Sequence, residues 1–89
     1  MTLYRVEKME YDEGISYTNY DDTFITKENA EKAFQQYAKE VEDHYKEDLQ
    51  HGGYDKDVDE NEFGKGMEIF SKFGDLVEAV YLTVVETKD

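Results

Sequence analysis

The chain has no cysteine and no tryptophan, and only ten basic residues stand against 23 acidic ones. Without cysteine there is no disulfide, no thiolate metal site and no cysteine nucleophile, which fits a reducing compartment. No apolar run approaches the roughly 18 residues of a membrane-spanning helix, and the opening Met-Thr-Leu-Tyr-Arg-Val-Glu lacks the basic and then apolar regions of a signal peptide. The expectation is a soluble cytoplasmic protein. The shortage of bases leaves a net charge of −13 in 89 residues. Direct binding to nucleic acid or to an anionic membrane is disfavoured by that charge, and a basic partner is favoured.

The acidity is spread along the chain. Residues 1–26 carry two bases against six acids, 27–51 four against seven, 52–66 two against five, and 67–89 two against five. It belongs to the folded elements and not to a detachable tail. Hydrophobic residues make up 38% of the chain and aromatics 15%, as eight Tyr and five Phe. That is too apolar for a disordered acidic segment, and 89 residues make one domain with one shared core.

Thr26 to His51 organises the rest. Ala30, Phe34, Tyr37, Val41, Tyr45 and Leu49 recur at spacings of three and four, and Ala33 and Ala38 widen the stripe. This is the period of one long amphipathic helix. Thr26 is its expected N-cap, Glu28 sits in the positive first turn, and Gly52-Gly53 ends it.

Leu3 to Glu10 reads as a strand, Asp12-Glu13-Gly14 as a turn, and Ile15 to Tyr20 as a second strand that Asp21-Asp22 interrupts. Tyr54 to Glu62 reads as a polar acidic loop. A third strand is expected over about Met67 to Phe73, then a two-residue turn at Gly74-Asp75. The last strand, Leu76 to Glu86, is apolar on both faces, which marks a central position. The expected fold is α+β: a four-stranded antiparallel sheet in ββαββ order with one long helix on one face. That leaves the other face uncovered, with Tyr81, Val77, Val85, Phe70 and Tyr17 or Tyr20 as contributors, and makes it a second place to look for a partner.

Catalytic and metal motifs are weak. Asp55, Asp57 and Asp59 match the first positions of a calcium-binding EF-hand loop, but the required Gly and Glu are replaced by Glu60 and Gly66. Glu40, His44 and Asp48 share a helix face at i, i+4 and i+8, a spacing that 23 acids produce by chance. No phosphate-cradling loop, serine nucleophile signature or basic stripe is present. The chain is therefore read as a non-enzyme with no cofactor and no metal.

What remains is the acidity itself. Glu42, Asp43, Glu47 and Asp48 on the helix, then Asp55, Asp57, Asp59, Glu60 and Glu62, are expected to make an anionic surface with Tyr54 as an anchor. Carboxylates on rigid elements lie at spacings comparable to the phosphates of a duplex. With its small size, mixed pattern and acidic runs Glu40-Val-Glu-Asp43 and Asp55-Lys-Asp-Val-Asp-Glu-Asn-Glu62, the chain resembles the small inhibitors encoded by phages and mobile elements. Anti-CRISPR and anti-restriction proteins, several of them DNA mimics, are the type. The resemblance implies an acidic inhibitor that occupies the basic nucleic-acid-binding surface of a nuclease or other protein. The alternative is an assembly module that homodimerises, or binds a protein partner, through the uncovered sheet face.

Overall fold

Thr26 caps the helix as its sequence position predicts. Its extended backbone turns the hydroxyl to accept the amide of Asn29 at 3.4 Å, and its carbonyl takes the amide of Ala30 at 3.2 Å. The fold, a computed structural model that describes residues 1–88, is α+β. Two strands, β1 (Thr2–Asp12) and β2 (Ile15–Phe24), precede helices α1 (Lys27–His44) and α2 (Lys46–Gln50). Three strands follow: β3 (Tyr54–Asn61), β4 (Gly64–Ser71) and β5 (Leu76–Glu86).

The expected single helix is two. At Tyr45 the backbone leaves helical values (φ −104°, ψ 12°), and the Tyr45 ring packs against the ring of Tyr54 at 5.1 Å. The apolar stripe faces the sheet as expected. Ala30, Phe34 and Val41 are buried, and Ala33, Tyr37, Ala38, Tyr45 and Leu49 are packed beside them. From the sheet they meet Val6, Met67, Ile69, Val80 and Leu82. Each large side chain so buried contributes about 1.5–3 kcal/mol.

The sheet has five strands, not four, in the order β2-β1-β5-β4-β3, with every pairing antiparallel. The expected ββαββ order is replaced by a hairpin, the helices and a three-stranded meander. The added strand is the segment read as an acidic loop. Asp-Lys-Asp-Val-Asp-Glu-Asn has poor strand propensity, but its backbone completes a full ladder with β4, from Tyr54 opposite Ser71 to Asn61 opposite Gly64. Tertiary pairing overrides so small a local preference.

Three further boundaries move. β2 runs through Asp21-Asp22 to Phe24, because Asp21 is neutralised by Arg5 on β1. β4 starts at Gly64 and stops at Ser71. Gly64 has φ +143°, and a Cβ there would collide with the Leu82 carbonyl, so only glycine lets β4 lie this close to β5. The β4–β5 connection is accordingly residues 72–75, a four-residue turn organised by Ser71.

β5 is the central strand, as its two-sided apolarity predicts. Val80 and Leu82 face the helix, and Ala79, Tyr81, Thr83 and Val85 face away. At Val77 the register shifts: Ile69 pairs with Glu78 and Phe70 with Leu76, so Val77 is an extra residue that turns onto the core.

Candidate acidic interface on the uncovered sheet face

Strand alternation divides the strand carboxylates between the two faces and puts every strand lysine on one. Arg5 and Glu7 on β1, Asp21 on β2, Asp55, Asp57 and Asp59 on β3, and Glu68 on β4 lie in register on the face away from the helices. All three strand lysines, Lys8, Lys56 and Lys65, lie on the helix side. Lys56 meets Glu42 at 3.2 Å, and Lys65 meets Glu31 at 3.7 Å with its ammonium over the Phe34 ring. The uncovered face therefore holds six carboxylates and one base among the described strand residues.

That one base is already engaged. Arg5 donates from Nε to Asp21 at 2.9 Å and from Nη2 to its other oxygen at 2.6 Å, and it lies 3.7 Å from Glu7. This paired geometry raises the Arg5 pKa and lowers that of Asp21, chiefly through the shared hydrogen bonds. It leaves Asp55, Asp57, Asp59 and Glu68 unbalanced. The three aspartates are exposed and alternate along one edge strand, about 6.6–6.8 Å per two-residue step. Asp57 is paired in register with Glu68 on β4, so the acids form a ridge two strands wide.

Beside the ridge lies an apolar, tyrosine-bearing strip. Ala79 is fully buried, and Leu3, Met9, Tyr11, Phe70, Tyr81 and Val85 are half-buried. Tyr81 donates its hydroxyl to Glu68 at 2.7 Å, which fixes the carboxylate over the sheet. Burial first, and this bond second, push the Tyr81 pKa well above the usual phenol value. Tyr11 donates to the Met9 sulfur at 3.6 Å. Gly66 makes room here: a Cβ would lie 3.0 Å from the Tyr81 ring.

The residues expected from sequence to form one surface divide into separate places. Asp55, Asp57 and Asp59 share the uncovered face. Glu60 is on the helix side opposite Lys65, and Glu62 is exposed in the β3–β4 turn. Glu42, Asp43, Glu47 and Asp48 are exposed on the helices, across the sheet from the aspartate ridge, with Glu42 tied to Lys56. Tyr54 is half-buried against Tyr45. Alternation that a loop lacks is what separates Asp55, Asp57 and Asp59 from Glu60. Glu7, Asp21 and Glu68 were not singled out in the sequence. The odd-numbered alternation of β1 was the available signal for Glu7, and nothing local marked the other two.

Glu40, His44 and Asp48 do not form one continuous helix face, because the break at Tyr45 intervenes. Among the described residues no group of three or more His, Asp or Glu is placed to hold a metal ion, and no helix is long and apolar enough to cross a membrane. Compared with family models, with curated proteins and with solved structures, the chain gives no match.

Proposed function

We propose that this protein is a non-enzymatic binding protein whose uncovered sheet face docks on a basic, nucleic-acid-binding surface of a partner protein. The observation that carries the reading is the placement of all three strand lysines on the helix side, which leaves Asp55, Asp57, Asp59 and Glu68 without a base on the other. On that face the carboxylates take the place of phosphates, and the Tyr81, Tyr11 and Phe70 strip supplies contact area beside them. An inhibitor that mimics DNA, of the anti-CRISPR or anti-restriction kind, is the form of this function that the small size and acidity support.

Charge argues against the face serving as a dimer surface. Two copies brought face to face would each present six carboxylates against one base, a repulsion that opposes the contact. Charges along β3 also discourage pairing at its free edge, which leaves the face as the docking surface.

Affinity capture from a cell lysate, followed by competition on the captured proteins, tests the reading. The expected outcome is a DNA-binding protein that duplex DNA displaces and raised salt releases. Capture that is indifferent to DNA, and unchanged when Asp55, Asp57 and Asp59 are replaced by Asn, would overturn it.

A further inference from the structure

One end of the sheet holds a cleft of about 970 Å³. Its apolar lining is Tyr11, Tyr54, Phe73, Leu76 and Val77, drawn from β1, β3, the β4–β5 turn and β5. Asp12, Glu13 and Asp75 stand around it, and Lys72 is its one base. The ammonium of Lys72 lies 5.1 Å from the Phe73 ring centroid, and the Lys72 amide donates to the Gly53 carbonyl at 3.1 Å.

The turn bearing Phe73 is tightly bonded. Ser71 Oγ accepts the amides of Phe73 at 3.3 Å and Asp75 at 3.2 Å, and the Ser71 amide donates to the Asp75 carbonyl at 2.8 Å. A turn with its polar groups so satisfied presents Phe73 at 80% exposure in a defined place. The preorganisation lowers the ordering cost of anything that packs on the ring. The cleft meets the uncovered face at Tyr11, which lines the one and belongs to the other.

We infer that this cleft receives an aromatic side chain carried on a basic segment of the protein partner. The apolar walls and the exposed Phe73 suit an aromatic ring, and the acids around the mouth suit arginine or lysine flanking it. A second copy of this chain, with the same −13 charge, is repelled from the same place. The inference rests on the reading of the uncovered face as a surface for a basic partner, and adds an anchor to it.

Two amidated peptides of alternating Arg and Lys, one with Phe at its centre and one with Ser there, serve as probes in titration calorimetry and amide-shift mapping. The Phe peptide is expected to bind at least tenfold tighter and to shift the amides of Tyr11, Tyr54, Phe73 and Leu76. Phe73→Ser, at an exposed position that does not threaten folding, should erase the difference and leave the Ser peptide unaffected. Equal affinity of both peptides, with salt-dependent binding of each, would overturn the cleft as an anchor while the acidic face stands. Absence of binding by either peptide at low salt would overturn both.

Discussion

Glu78 faces Glu10 across the β1–β5 ladder, and Glu78 is only 5% exposed. Two carboxylates thus meet beneath Tyr45, with Lys8 and His44 as the nearby bases. Burial, more than the neighbouring Glu10, raises the Glu78 pKa above the usual carboxylate value.

A carboxylate raised in this way binds its proton more tightly folded than unfolded. Its ionisation opposes folding fully above the folded pKa, and the penalty fades as pH falls toward the unfolded value of about 4.3. Stability should therefore rise as pH is lowered from 7 toward 5, a direction that relief of the general acidic repulsion reinforces. Glu78→Gln should raise the melting temperature at pH 7 by roughly 4 °C or more, the shift that about 1 kcal/mol produces in a domain this size, and the gain should shrink at pH 5. Thermal melts of both proteins across pH 5–8 measure this. A variant that melts lower at pH 7 would show that Glu78 holds a favourable ion pair.

Tyrosine ionisation should come late. Burial pushes Tyr45 up to about 12, with the Glu78 charge adding to it. Tyr81 and Tyr20 are raised as well, mainly by desolvation. Each is held protonated by the fold, so stability should fall as pH rises from about 10, the unfolded phenol value. Absorbance titration should show Tyr20, Tyr45 and Tyr81 ionising late, together with unfolding. Tyr81→Phe should reduce the late amplitude.

Two glycines with positive φ should respond differently to alanine. Gly14, at φ +81° in the β1–β2 turn, has open space around it, so Gly14→Ala should cost about 1 kcal/mol for the left-handed conformation alone. Gly64→Ala adds the collision with the Leu82 carbonyl and should cost roughly 2–4 kcal/mol from overpacking and strain together. Urea unfolding of the two variants gives the comparison.

Replacing Asp55, Asp57 and Asp59 by Asn should weaken capture of a basic partner at least tenfold at low salt and flatten its salt dependence. It should not lower stability, since like charges are removed from an exposed edge strand. Neutralising Asp43, Glu47 and Asp48, which lie on the helix side, should have a smaller effect. Paired binding and urea measurements separate the two sets; a larger loss from the helix set would move the interface to the helices.

The helix and the central strand were legible in the sequence because their signals are local. Ala30, Phe34, Tyr37 and Val41 repeat at helical spacing, and Thr26 is a cap whatever lies around it. The Leu76–Glu86 strand carries apolar residues on both faces and becomes the centre of the sheet. The hairpin turn at Glu13-Gly14 was marked by its glycine, and both residues take positive φ.

β3 was not legible in the same way. Asp55 to Asn61 has a loop's composition, and only the backbone ladder offered by β4 makes it a strand. With that pairing came the two-residue alternation that turns Asp55, Asp57 and Asp59 to one face and Lys56 to the other. The sequence by itself determined how much negative charge the protein carries and where its core helix lies. Tertiary structure decided which of the strand charges share a face, because side-chain direction in a strand depends on pairing and register, and for β3 these come from the hairpin with β4 and the seating of β4 on β5.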